Sequence, residues 1–161
     1  MVPIETQRTR MRAWRSTDAE ALFDICNREE VMRYISAPWS MLRVQRFIEE
    51  EQERARVDGH CYWAFVHRAS SRLMGFCGLR GADELEIGWR LHPDYWGKGL
   101  ATEGAMALLD EVRALVHPPR VFAHIHVLNA ASIALAERIG LTRMGTIPVA
   151  EYEDYLYELV V

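Results

Sequence analysis

The stretch 84–109, ELEIGWRLHPDYWGKGLATEGAMALL, leaves the chain few folds to choose from. Leu85, Ile87, Trp89 and Leu91 alternate with Glu84, Glu86, Gly88 and Arg90. That period of two belongs to a strand, because successive side chains leave its backbone on opposite faces. His92, Pro93 and Asp94 end it, since proline has no N–H for a sheet ladder and aspartate favours turns. After Gly97, Lys98 and Gly99, the apolar positions Leu100, Ala101, Ala105, Leu108, Leu109, Val112 and Leu115 or Val116 recur at steps of three and four, which predicts a helix. A helix start leaves backbone N–H groups without partners and carries partial positive charge, so a glycine turn leading into one suits an anion. Glycine at 97 and 99 permits positive φ and keeps a Cβ away from the bound group. Lys98 is the one lysine among 19 basic residues. A compact ammonium suits phosphate as a point charge where arginine needs room for its planar fork; chance survival in an arginine-biased chain explains it equally well. A phosphate-binding P-loop would follow the lysine with Ser or Thr, and Gly99 stands there; a dinucleotide fingerprint wants a third small residue where Thr102 stands.

At 161 residues, half of them hydrophobic, the chain suits a single α/β domain over 1–161 with a real core. A net charge of −4 with scattered arginines argues against a nucleic-acid partner. Cys26, Cys61 and Cys77 are odd in number and lack metal or redox spacing, which predicts free thiols in a reducing cytosol. No signal-peptide core opens the chain and no stretch approaches a membrane span, so a soluble cytoplasmic protein with no membrane partner is expected.

In chain order, RTRMRAW reads as an edge strand, and Ser16, Thr17 and Asp18 supply capping residues before a helix lined by Ala21, Leu22, Ile25 and Cys26. Residues 31–40, with Pro38, read as a shaped loop. Ser40 can cap a second helix, apolar through Val44, Phe47, Ile48 and Ala55 and closed by Gly59; Glu49, Glu50, Glu51 and Glu53 read as its solvated face. CYWAFVHR and RLMGFCGLR form a hairpin that feeds the strand at 84–91 antiparallel. His117, Pro118 and Pro119 break the chain after the glycine-turn helix; VFAHIHVL is then a strand parallel to 84–91, because a helix joins the two. Asn129 caps a helix holding Ile133, Leu135, Ala136 and Ile139, with Gly140 at its end, and LTRMGTIPV and EYEDYLYELVV close the sheet.

Trp96-Gly97-Lys98-Gly99-Leu100-Ala101 resembles the Arg/Gln-x-x-Gly-x-Gly/Ala turn in motif A of the GNAT family of N-acetyltransferases, with Trp96 at the first position. HPDYWGKGLATE is similar to the wording of the ribosomal-protein alanine N-acetyltransferase (RimJ/RimL-like) subfamily. NAASIALAERIGLTRMG resembles motif B, and RTRMRAWRSTDAEAL and DYLYEL resemble the subfamily's two ends. The resemblance implies a mixed, mostly antiparallel sheet with helices on both faces, whose parallel strands splay around residues 88 and 126 to admit acetyl-CoA. It implies pyrophosphate held by the N–H groups of Gly97, Lys98, Gly99, Leu100, Ala101 and Thr102 beside Trp96, and a pantetheine arm bonded by Asn129. The backbone at Trp89, Arg90 and Leu91 would pair the arm's amides and point an N–H at the thioester oxygen.

By the same resemblance Glu86 stands where several members carry a general base, with a carboxyl that desolvation would raise toward a useful range; a carboxylate at an edge or paired to an arginine is the alternative. The family's usual proton-donor tyrosine falls on Ala136, which leaves Ser132, or a helix-start serine bonding its own backbone. Tyr34, Trp39 and the acidic second helix lie where the family builds its acceptor pocket, and their aromatic and acidic character fits a cationic amine; His126 is expected to line the cleft on the acceptor side. His124 and His126 share a strand face, but two histidines without a third ligand do not make a metal site, and no metal is assigned. The implied reaction moves an acetyl group directly to a primary amine in a ternary complex. The acceptor is a protein or peptide N-terminus, with an amino acid, polyamine or drug amine as alternative and a catalytically weak acyl-CoA sensor as competing class. The resemblance allows a homodimer; no sequence feature specifies one.

Overall fold

Described by a computed structural model over residues 4–115 and 119–160, the chain gathers its period-two segments into one seven-stranded sheet. The strands are β1 (Thr9–Arg12), β2 (Tyr62–His67), β3 (Arg72–Gly81), β4 (Glu84–Leu91), β5 (Arg120–His126), β6 (Leu141–Val149) and β7 (Tyr152–Leu159). The helices are α1 (Ala19–Cys26), α2 (Glu29–Met32), α3 (Met41–Val57), α4 (Leu100–Arg113) and α5 (Ala130–Arg138). Strand order is β1-β2-β3-β4-β5-β7-β6. Every neighbouring pair is antiparallel except β4 and β5, which α4 connects and so makes parallel.

The alternation along β4 separates two cores. Leu85, Ile87 and Leu91 join α4's Leu108 and Leu109 on one face. On the other, Phe76 and Tyr62 pack with Leu22 and Ile25 of α1 and with Val44, Phe47 and Ile48 of α3. The feature that positions a site is where pairing stops. β4 and β5 match only at Glu84 with Arg120, Leu85 with Val121 and Glu86 with Phe122. Beyond Glu86 the two strands part, and the β5-facing edge of β4 is open.

Three helix ends follow the sequence cues. The Ser40 hydroxyl accepts from the Arg43 N–H at 3.2 Å, Gly59 follows α3 with φ 74°, and Gly140 follows α5 with φ 90°. All three cysteines are free and buried. Among the described residues no helix is long and apolar enough to cross a membrane. The chain break at His117 and Pro118, and Val116 before it, lie outside the described residues.

Three expectations are corrected. Glu51 is not on a solvated face: it is fully buried, accepts from the Tyr62 N–H at 2.6 Å and pairs with Arg80 and Arg54. The loop at 31–40 starts as helix, since Val31 and Met32 complete α2 and bury there. Ser16, Thr17 and Asp18 form a 3-10 turn, and Asp18 spends its carboxylate on Arg12 and on the Arg15 N–H instead of capping α1.

Candidate active site

The glycine turn is built by backbone conformation. Gly97 and Gly99 have φ of 68° and 73°, and Gly99 is the residue from which α4 departs. A Cβ at Gly97 would meet nothing within 4 Å, and one at Gly99 would meet Arg8 Nη2 at 3.6 Å, so left-handed φ and not crowding selects glycine at both positions. The turn is braced from outside. Glu103, in the first turn of α4, accepts from the Thr6 hydroxyl at 2.5 Å, the Arg8 N–H at 2.8 Å and Arg8 Nε at 2.6 Å, while Arg8 Nη1 donates to the Lys98 carbonyl at 2.9 Å. Burial pushes the Glu103 carboxyl up, but these donors together hold it below its ordinary value. Sequence reasoning missed this brace. An acid in a helix's first turn was the one available signal for Glu103; Arg8, more than ninety residues away in sequence, offered none. Lys98 Nζ donates back to the Asp94 carbonyl at 2.7 Å, and Lys98 does not line the cleft.

Where β4 and β5 part, a cleft of about 710 Å³ opens, a size suited to a small-molecule ligand. Trp89, Arg90 and Leu91 of β4 form one wall, Trp96, Gly97, Gly99, Leu100, Ala101 and Thr102 the turn, Asn129 and Ser132 the opposite wall, and Arg33 and Tyr34 the far end. Trp96 Nε1 donates to the Leu91 carbonyl at 2.9 Å, tying the turn to the end of β4. Asn129 Oδ1 caps α5 by accepting from the Ser132 N–H at 3.2 Å, which leaves its amide NH₂ unspent. Trp89 Nε1 donates to Ser132 Oγ at 3.2 Å across the cleft. An indole N–H can only donate, so Ser132 accepts there and its own O–H is left to donate elsewhere.

The remaining predicted residues sit outside the cleft lining. Glu86 is the last paired residue before the splay, part-exposed, 3.7 Å from His124 Nδ1. The ring of His126 lies 5.1 Å from Tyr34 and 5.4 Å from Tyr152, and its Nδ1 accepts from the Leu128 N–H at 3.1 Å, which places the proton of the neutral ring on Nε2. Trp39 packs on Phe47 and carries the guanidinium groups of Arg43 and Arg90, each 4.6 Å from its ring. The glutamates of α3 do not reach this cleft; its charged lining is Glu30 with Arg33, Arg90 and Arg138. No group of three or more His, Cys, Asp or Glu close enough to hold a metal occurs among the described residues.

Comparison with known proteins agrees with this geometry. The family described as acetyltransferase (GNAT) domain matches residues 8–142. The uncharacterized protein YkkB of Bacillus subtilis is 29% identical over 163 residues, spanning 94% of this chain and 95% of that protein. The crystal structure of a GNAT-family acetyltransferase from Bacillus anthracis superposes with a TM-score of 0.87 at 23% identity, covering 99% of this chain and 98% of the other. RimL, a ribosomal L7/L12 alpha-N-protein acetyltransferase, shares the fold with a TM-score of 0.85 at 16% identity, covering 99% and 94%. With the domain match running through both the glycine turn and the capped helix opposite it, the chain belongs to the GNAT acetyltransferase family.

Proposed function

We propose that this acetyltransferase takes acetyl-CoA in the β4–β5 cleft and acetylates a primary amine, in the first place the N-terminal amine of a protein or peptide. The observation that carries the reading is the open β4 edge facing the start of α4. An extended arm carrying amides can add to that edge as a strand would, while the unpartnered N–H groups at the start of α4 suit a pyrophosphate. RimL has been solved with coenzyme A and the fold neighbour MccE with acetyl-CoA and AMP, which supports the same ligand here. Acetyl-CoA would supply an acetyl group activated as a thioester.

The protein's own groups then have separate tasks. The backbone at Trp89, Arg90 and Leu91 would hold the arm and offer an N–H to the carbonyl oxygen. Ser132, held by Trp89, would pass a proton to the departing sulfur while taking one from solvent in its place, and Glu86 would take a proton from the amine. An N-terminal amine with a pKa near 8 is already partly neutral at pH 7, whereas a lysine amine near 10.4 is not. A part-exposed Glu86 reached through water suffices for the first. RimL's own acceptor, a ribosomal-protein N-terminus, supports that choice. A small amine is the second reading, and among small amines an amino acid is favoured, since its carboxylate would answer a nearly buried cation at the cleft, Arg90.

The test begins with a thermal melt in acetyl-CoA, using NADH as control. A ligand at a hundred times its Kd adds about 2.7 kcal/mol, or a rise of about 5 to 11 °C at roughly 2 to 4 °C per kcal/mol for a chain this size. No rise would remove the cofactor site. Thiol release with an amine panel then separates a transferase from an acyl-CoA sensor. Glu86→Gln is expected to lower kcat/KM at pH 7 and less at pH 9; a loss independent of pH would point to binding instead of proton transfer.

A further inference from the structure

Two arginines project from the same sheet face, and the protein treats them differently. Arg80 of β3 is answered by Glu51, a fully buried carboxylate. Arg90 of β4 is itself 9% exposed and has no carboxylate within ion-pairing distance among the described residues. Its Nη1 reaches Cys26 Sγ at 3.4 Å, its guanidinium lies 4.6 Å from Trp39 and 4.9 Å from Phe76, and its Nε is buried without a hydrogen-bond partner. Burial of the Cys26 sulfur raises its pKa in spite of the neighbouring guanidinium, so the contact is a neutral thiol and no counter-charge. Two aromatic rings favour a cation without neutralising it, and a buried charge calls for a partner.

Arg90 lines the cleft, four residues along β4 from Glu86 and on the same strand face. Arg33, exposed at the same end, is likewise in no ion pair among the described residues. The one glutamate in the lining, Glu30, lies 3.7 Å from Arg28, so the acceptor end keeps a net positive charge from Arg33 and Arg90 where a plain cationic amine would be repelled.

We propose that Arg90 is the specificity-determining counter-charge for a carboxylate on the acceptor, so that the cleft selects amines bearing an acid group close to the reacting nitrogen. The carboxylate belongs either to a free amino acid or to an acidic side chain at the start of a peptide; both present the same chemistry to the guanidinium. The proposal rests on the acetyltransferase reading of this cleft.

The test is a binding titration of the full-length protein saturated with coenzyme A, followed by tryptophan fluorescence, since Trp39 touches the guanidinium. Four probes form two pairs: alanine against alaninamide, and aspartyl-alaninamide against asparaginyl-alaninamide. In each pair only the carboxylate differs. At least one acid is expected to bind tenfold or more tightly than its neutral partner, and the pair that shows it identifies the source. Arg90→Met is expected to bring that pair within twofold while coenzyme A binding is kept, and Arg90→Lys to retain part of the preference. Acids and amides binding the wild-type protein within twofold in both pairs would overturn the proposal, as would a preference that survives Arg90→Met. The wild-type comparison needs no variant to fold. Coenzyme A affinity is read in the same cell, so a failure of the cofactor site shows as lost coenzyme A binding, and a failure of the Arg90 assignment as equal affinities.

Discussion

Removing the Glu51 carboxylate is expected to destabilise the protein far more than a helix-surface substitution. Glu51 sits on α3 with no exposure; one oxygen accepts from the Tyr62 N–H at 2.6 Å, and the other pairs with Arg80 and, at 3.4 Å, with Arg54. Arg80 in turn lies 4.2 Å from the Tyr62 ring. Deleting one partner of a buried pair costs about 3 to 5 kcal/mol, because the other charge and any bonded N–H are left unanswered. Arg80 keeps a quarter of its side chain exposed and can recover some water, so the lower figure, about 3 kcal/mol, applies to Glu51→Ala. At roughly 2 to 4 °C per kcal/mol, Tm should fall by about 6 to 12 °C. Circular dichroism melts and urea titrations measure this directly. Glu51→Gln keeps an acceptor for Tyr62 but not the charge, and should fall between. A Glu51→Leu, Arg80→Met double variant should lose less than the sum of its singles, since neither charge remains unpaired. A Glu51→Ala shift under about 2 °C would refute the reasoning, for that is how an exposed glutamate behaves.

Gly88→Ala should be felt at the site as well as in stability: the new Cβ would lie 2.7 Å from Tyr62 Oη, and that ring, stacked 5.2 Å from Phe76, has little room to retreat. A cost of about 1 to 3 kcal/mol and a lower kcat/KM are expected; a neutral result would mean that Tyr62 swings freely. Burial raises the Asp18 carboxyl, but two hydrogen bonds from Arg12 at 2.8 Å and one from the Arg15 N–H outweigh it and hold the group below its ordinary value. Its stabilisation is therefore present above the unfolded pKa of about 3.9 and lost as pH falls through the lower folded value. Asp18→Asn should lower Tm at pH 7 with a deficit that shrinks in acid, and a deficit constant down to pH 2 would exclude the linkage. Ser132→Ala should lower kcat by about a hundredfold if the hydroxyl is the proton donor, and Trp89→Phe by a smaller factor with KM for acetyl-CoA kept. Because both act on one proton, the double variant should be no worse than Ser132→Ala, and unchanged turnover in Ser132→Ala would remove the residue from the mechanism.

Much of the site was legible because it rests on local rules. Positive φ at Gly97 and Gly99, the capping oxygen of Asn129 and the alternation of β4 each depend on residues a few positions apart, and each stands where the sequence pattern put it. The brace from Arg8 to Lys98 and Glu103 was not legible, since no spacing relates residues so distant. Four predicted residues, Glu86, Lys98, Trp39 and His126, lie beside the cleft and not in its lining; a strand face or a turn says which side a residue takes, not how far a second strand stands off.

The pattern of one sequence therefore determined most of the elements, the caps at Ser40 and Asn129 and the left-handed glycine turn, because hydrogen bonding and side-chain periodicity act within a few residues. The tertiary structure decided which charges are answered. Glu51 and Arg90 look alike on paper, each a charged residue in a patterned segment, yet one meets a partly buried arginine, Arg80, and the other meets a thiol and two aromatic rings. That difference arises only when β3, β4, α1 and α3 close on one another, since the field at a buried charge is set by neighbours that the chain brings together from far apart in sequence.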